Sequence, residues 1–505
     1  MAVGRVSRRS TMTATWVTGA FAAILLAGAA QAGATVSGPI PGDPIIDIAK
    51  GDQAAKGYVT EEYVFSGTAQ AYRQIGAPTT DGRWQVEPAA TAPFKSRLIV
   101  QRPSDPKKFN GTVYVEWLNV SGGRDSAPDW KLAHREILRS GAAWVGVSAQ
   151  KVGIEGGRSL NLGALPLKKM DPARYGELSH PGDAFCFDIF SQGGQLARNT
   201  GDQKILGALA PKRMLAIGES QSAIYLTTYV NAVDPVAKVF DGFVIHSRFG
   251  GAPAVEAYDL MDPANAAKMP KAVKLRDDLR APVITVITET DLMSSFGGFL
   301  AARQPDSDRL RIWEVPGASH ADSYMLAVSD IDNDATSPVT LAATYLQTTT
   351  IRGAKATDKP FNFAPQHHYI VSTALSSLDR WVKTGVAPPH GAPMATVATG
   401  DPAGTFRLAL DANGNARGGI RTPWMDVPFA RLSGLGNSGG TLSVFVGTSE
   451  VFDQATLDRL YPGGRKDYLQ KFDVALARAV KAGFILKADE ADIRALAVAM
   501  YPGAR

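Results

Sequence analysis

Seven short apolar runs, each bounded by turn-forming residues, punctuate residues 96 to 320: SRLIVQRP (96–103), GTVYVEWLN (111–119), GAAWVGVSAQ (141–150), RMLAIGES (213–220), GFVIHS (242–247), PVITVITETD (282–291) and LRIWEVPGASH (310–320). Most are apolar at successive positions and not at alternate ones, the pattern of a strand covered on both faces. Helical patterns lie between them, among them DWKLAHREILRSG (129–141) and SAIYLTTYVNAV (222–233). Strands alternating with helices predict an α/β fold with a mostly parallel central sheet flanked by helices. An earlier segment, YVTEEYVFSGTAQAYR (58–73), alternates apolar and polar residues and carries charge, which predicts an antiparallel edge strand.

Beyond residue 330 the rhythm changes. HHYIVSTALSSLDRWVKTG (367–385) predicts a helix stopped by Gly385, and TPWMDVPFARLSG (422–434) a strand or extended segment. KDYLQKFDVALARAVKAG (466–483) sets Leu469, Phe472, Leu476 and Val480 on one helical face, and DEADIRALAVAM (489–500) predicts a last helix with Asp489 as its N-cap. No linker-like stretch rich in Pro, Ser or charge sets this part off. The expected organisation is therefore an α/β core over 33–330 and a C-terminal extension over 331–505 that completes and covers it.

Residues 1–32 stand outside that organisation. Arg5, Arg8 and Arg9 precede the apolar run WVTGAFAAILLAGAA, and Ala30-Gln31-Ala32 offers the small residues a signal peptidase accepts. The run is shorter than the ~20 apolar residues a spanning helix needs. A cleaved secretory signal is expected, with SRRST a hint of twin-arginine export, and hence a periplasmic or extracellular protein without a membrane anchor. Cleavage changes the charge: three arginines and no acid leave with the signal, so the formal +5 becomes +2. That is no nucleic-acid footprint. Cys186 is the sole cysteine, so no intrachain disulfide can form, and its apolar surroundings in DAFCFDIFSQ predict a buried thiol.

The chemistry is suggested at the corner where RMLAIGES meets SAIYLTTYV. A side chain at such a strand-to-helix turn projects above the carboxyl edge of the sheet, and the helix that follows aims free N–H groups and its positive dipole end toward it. The tight turn brings the residues two before and two after into contact, so both must be small, which is the physical content of G-x-S-x-G. Here the motif is Gly218-Glu219-Ser220-Gln221-Ser222, with serine in place of the last glycine. A serine nucleophile needs a base, and the base an orienting carboxylate; on this kind of sheet they follow in the order serine, acid, histidine, at the ends of later strands. PVITVITETD ends on Asp291 and LRIWEVPGASH on His320. Glu289, two residues earlier, is the alternative acid. A helix N-cap is the ordinary role for a serine such as Ser220.

Two oxyanion donors are also required. The backbone N–H of Gln221 is one candidate; those of Asn119 and Val120, in the loop NVSGG after GTVYVEWLN, are candidates for the other. Trp117 belongs either to the core or to the pocket wall, and His246 and Arg248, ending a central strand, are candidate substrate contacts.

Together IGESQSA, EWLNVSGG, SHPGDAF (179–185), TETDL, GASHAD, LDRWVKTG and GGIRTPW resemble the bacterial secreted alpha/beta hydrolase domain-containing proteins, from about residue 55 to the C-terminus. The resemblance implies the α/β-hydrolase fold and serine hydrolase chemistry carried by Ser220, an acid in TETDL and His320; it implies no substrate. Glucuronoyl esterases are similar in outline but place a basic residue after the nucleophile, where this chain has Gln221.

Other motifs carry less. GLGNSG (434–439) fits G-x-G-x-x-G but precedes the strand-like TLSVFVG and opens no helix, and His367-His368 lacks a third residue at metal-ligand spacing. The function expected is that of an exported carboxylic-ester hydrolase using Ser220, His320 and Asp291 on a small-molecule ester, with no cofactor, metal or nucleic-acid partner. Amide or lactone cleavage and acyl transfer on the same residues are the alternatives, and a catalytically silent binding protein is the alternative of another class.

Overall fold

In the computed structural model, residues 1–4 and 33–503 are described, apart from 161–163, 203, 257–261, 296, 348–349, 352–353, 356 and 402–404. The expected signal segment lies, from residue 5 onward, outside the described residues. Met1–Ala32 and Gly33–Arg505 form two units, and everything below concerns the second. No described helix is long and apolar enough to cross a membrane.

Nine strands form one sheet: β1 (Thr35–Ser37), β2 (Tyr58–Ile75), β3 (Gln85–Pro103), β4 (Thr112–Trp117), β5 (Ala143–Val147), β6 (Arg213–Glu219), β7 (Gly242–His246), β8 (Val283–Thr288) and β9 (Leu310–Val315), in the order β1-β2-β3-β5-β4-β6-β7-β8-β9. From β5 to β9 every neighbouring pair is parallel, while β1, β2 and β3 join antiparallel. β2 is antiparallel as its alternation predicts, but it is not the edge. Thr35–Ser37 covers it, a run too short to show a periodicity. β3 starts well before the apolar stretch at 96; Pro88 and Pro93 fall where it pairs within the sheet only with β2, a place where a missing N–H costs no ladder bond on the other side.

The pleat sorts the strand residues onto two faces. Ile99, Tyr114, Trp144, Ile217, Val244, Ile284 and Trp313 face one layer, where α1 (Pro128–Ser140), α4 (Gln366–Thr384), α5 (Gly464–Ala482) and α6 (Glu490–Met500) pack. Leu98, Val115, Val145, Ala216, Ile245 and Ile287 face the other, against α2 (Cys186–Arg198) and α3 (Gln221–Thr228). Such double coverage explains the unbroken apolar runs. The C-terminal helices thus supply much of one layer. Gly385 ends α4 in the left-handed conformation at φ 74°, and Phe472 and Leu476 of α5 are buried, with Leu469 and Val480 half-buried beside them.

Two expectations for the C-terminal part are corrected and a third is refined. Residues 422–434 hold a turn of helix (Pro423–Asp426) and a short strand (Ala430–Ser433): with Pro423 favouring a helix start, TPWMD turns before FARLS extends. TLSVFVG is not a strand but a single 3₁₀ turn at Thr441–Val444. Asp489 stands at the N-cap position of α6 as expected but makes no cap bond: its backbone is already helical at φ −92°, ψ −7°, and one oxygen of its carboxylate accepts from Arg139 of α1 at 2.7 Å.

Candidate active site

Ser220 follows β6 directly and precedes α3. Its backbone sits at φ 59°, ψ −119°, a conformation costly for any residue with a Cβ and held here by its surroundings. The Ser220 N–H donates to the carbonyl of His246 at 3.0 Å, and its own carbonyl accepts the Ile224 N–H. A Cβ on Gly218 would stand 3.2 Å from the Cβ of Ser222, a tight approach that favours glycine at this corner. Ser222 fits where the motif has its second glycine. It is fully enclosed, and its hydroxyl has no hydrogen-bond partner among the described residues.

The loops after β8 and β9 meet this corner. The His320 imidazole places Nε2 2.7 Å from Ser220 Oγ and Nδ1 2.6 Å from Asp291 Oδ1. Asp291 opens no cleft of its own: it lies buried in the first turn of a short helix, Glu289–Met293, and its other oxygen accepts bonds from the Thr288 N–H (2.8 Å) and hydroxyl (2.7 Å). Burial would raise the pKa of this carboxyl; the imidazole and the Thr288 bonds outweigh it and hold the group below its ordinary value. Phe249 stacks on the His320 ring at 5.3 Å, and Phe445, from the C-terminal part, tilts against it at 5.2 Å. The arrangement can accept a proton from the serine hydroxyl while a carboxylate faces the charge that appears on the ring.

Glu289, the alternative acid, points elsewhere. Its oxygens accept the N–H groups of Gly317 (2.6 Å) and Gly434 (2.8 Å), and burial pushes its pKa up to about 7. It braces the turn before His320 and, among the described residues, makes no bond to the ring. Gly434, from the glycine-rich motif, is thereby a structural contact.

Among the oxyanion candidates, the Asn119 N–H is taken by the Ser126 carbonyl at 2.9 Å, so that amide is occupied. Those of Gln221 and Val120 donate to no group among the described residues. The Asn119 side chain instead ties the β4 loop to the corner, donating to the Glu219 carbonyl at 3.1 Å and to its carboxyl at 3.3 Å. Trp117 is core: fully buried, it packs on Phe187, Phe190 and Tyr225 and donates to Gln150. Arg248 is buried too, its guanidinium over the Phe299 ring and bonded to the carbonyls of Phe249 and Val273; burial drives its pKa down to about 9. His246 faces inward, with Asp129 on Nδ1 and His367 on Nε2.

Glu219 was not among the residues expected. Its carboxyl, 3% exposed, stands 3.3 Å from His320 Nε2. Burial first, then the carboxylates of Asp129, Asp291 and Glu116, push its pKa well above the ordinary range and so favour its protonated form. Its place as the residue before Ser220 was visible in the motif; its direction was not. Among the described residues no three His, Cys, Asp or Glu side chains gather as a metal would require.

A family model described as an alpha/beta hydrolase domain matches residues 27–495. No curated protein sequence matches the chain. Solved structures similar to part of it include a glucuronoyl esterase from Solibacter usitatus, 12% identical over 56% of this chain and 83% of that one with a TM-score of 0.28. A thermostable esterase from Pseudomonas putida ECU1011 is 13% identical over 47% of this chain and 68% of its own, at a TM-score of 0.25. An α/β serine hydrolase without lid from Xanthomonas campestris is 11% identical, covering 50% and 86%, at 0.26.

Proposed function

Since the chain belongs to the alpha/beta hydrolase domain family, we propose that it is a serine hydrolase of carboxylic esters with Ser220 as nucleophile, His320 as base and Asp291 as the orienting acid. The observation that carries this reading is the unbroken relay, 2.7 Å from Oγ to Nε2 and 2.6 Å from Nδ1 to Oδ1. Ser220 Oγ adds to the ester carbonyl as His320 Nε2 takes its proton. The tetrahedral oxyanion is received by the amides of Gln221 and Val120, and each such donor is worth ~3 kcal/mol in the transition state. Collapse expels the alcohol, protonated by the imidazolium, and leaves an acyl-serine; water, deprotonated by the same ring, repeats the addition and releases the acid. The depressed pKa of Asp291 keeps it ionised throughout.

Ester hydrolysis is separable from the other uses of such a relay by measurement. The purified chain, lacking residues 1–32, is expected to react with a fluorophosphonate probe and to hydrolyse simple aryl esters. Ser220→Ala should do neither, and an intact protein that resists the probe would mark a binding protein instead. A protein that labels but turns over only amides or lactones would redirect the reading to those bonds. We infer also that residues 1–32 direct export; N-terminal sequencing of the native protein, beginning at residue 33 if this holds, is the check.

A further inference from the structure

Below the Ser220–His320 pair lies a second set of histidines that the proposed reaction does not use. His246 Nδ1 is 2.8 Å from Asp129 Oδ1, His246 Nε2 is 2.9 Å from His367 Nε2, and His367 Nδ1 is 2.9 Å from Asp322 Oδ2. All four side chains are sealed from solvent. They come from four separate places: the first turn of α1, the end of β7, the loop two residues past His320, and the first turn of α4.

The distances fix the number of protons. Two nitrogen lone pairs, or two N–H groups, facing each other at 2.9 Å would repel, so one proton lies between the Nε2 atoms. Each carboxylate contact needs one more. Three contacts therefore hold three protons, where two neutral imidazoles supply two. With both carboxyls ionised, the pair thus carries one proton beyond neutrality, and the four groups together one negative charge. Burial works against charge on His246 and outweighs the opposing pull of Asp129, so the proton count rests on the three contacts and not on that balance.

Resting on the hydrolase reading above, we propose that Asp129, His246, His367 and Asp322 form a positioning device, a carboxylate-locked and singly protonated imidazole pair that holds the Ser220 and His320 loops in register. Both ends of the attacking pair are attached to it. The carbonyl of His246 accepts the N–H of Ser220, holding the strained corner. Asp322 shares the His320 loop and also caps the short helix Ser323–Leu326 through the Met325 N–H at 3.0 Å. His367 brings in α4, so the C-terminal part acts on the site through this chain as well as through the Phe445 ring. None of the four touches the reacting atoms; their role is to fix where those atoms stand, and misplacement of that kind is costly in rate.

The test uses the full chain beginning at residue 33, with ¹⁵N-labelled histidine. In the wild type, a through-hydrogen-bond ¹⁵N–¹⁵N coupling is expected between Nε2 of His246 and Nε2 of His367, with one of the two rings protonated on both nitrogens. Asp322→Asn is nearly isosteric. Its amide oxygen stays on the Met325 N–H, so its NH₂ faces His367 Nδ1, which must then accept. The coupling should persist while neither ring remains doubly protonated. His367→Gln should erase the coupling, shift or broaden the low-field Nδ1–H signal of His320, and slow fluorophosphonate labelling of Ser220 roughly tenfold or more. A wild type without the coupling, or with both rings neutral, overturns the proposal. So does a folded His367→Gln, or a folded Asp322→Asn should the former not fold, in which the His320 signal is unchanged. If Ser220 never labels but the His320 signal responds, the hydrolase reading fails and the positioning role stands.

Discussion

His320 and His367 each offer Nδ1 to an aspartate, at 2.6 and 2.9 Å, yet they differ in what stands at Nε2. At His320 it is the half-buried hydroxyl of Ser220, where in the proposed reaction a departing proton leaves a nucleophile behind. At His367 it is a second imidazole backed by a second aspartate, in a place no substrate reaches. A carboxylate-backed histidine is thus not in itself a base for catalysis. It becomes one where its far nitrogen meets a group whose deprotonation creates something reactive, and elsewhere the same pairing is a rigid joint.

The largest expected contrast follows from the first relay alone. Asp291→Asn should leave His320 in place but in the wrong tautomer and lower kcat by ~10⁴-fold, measured on whichever aryl ester the wild type cleaves. Stability should divide the two sites the other way. His367→Leu strands Asp322 and His246 in a dry interior and is expected to cost ~3–5 kcal/mol in urea unfolding. His320→Leu should cost less than half of that, since Asp291 keeps its two bonds from Thr288. Equal losses at the two histidines would dissolve the distinction.

A smaller effect concerns the carboxyl next to the serine. Glu219 binds its proton more tightly folded than unfolded, where its pKa is ~4.3. Between that value and its raised folded pKa the native state holds a proton the unfolded chain has released, so stability falls as pH rises through this window. Glu219→Gln removes the dependence. Its Tm relative to wild type should therefore climb as pH rises above ~4.3, and a pH-independent difference would count against a raised pKa at Glu219. The smallest effect belongs to Ser222, whose enclosed hydroxyl has no partner among the described residues. Ser222→Ala should stabilise by ~1 kcal/mol, seen as a raised urea midpoint, with kcat little changed.

How much of this was legible in the chain depends on whether neighbours in space were also ordered in sequence. The parallel strands announced themselves because both faces are covered, and Ser220, Asp291 and His320 each stand at the end of one of them. Glu289 shares that strand end, and only the direction of its side chain, toward Gly317 and Gly434, separates it from Asp291. Asp129, His246, His367 and Asp322 had no such order. Their spacings follow no helix or strand period, and a histidine pair at 367–368 reads the same whether it is solvated, ligating or, as here, split between Asp322 and a stack of His368 on Tyr324. The amide of Asn119 was similarly unreadable: its sequence places it in the right loop, and only the bridge to Ser126 shows it engaged. The short segments after residue 420 were misassigned because four or five residues carry too little periodicity to choose between a turn of helix and a strand.

Cys186, meanwhile, is enclosed in the layer beneath β4 and β6, and burial pushes its thiol far above the pH at which such groups react. A cysteine placed at an exposed position such as Val386 or Val474 would consequently be the only sulfur a maleimide could find on the native protein. One dye per molecule, at a chosen address, comes without first deleting anything.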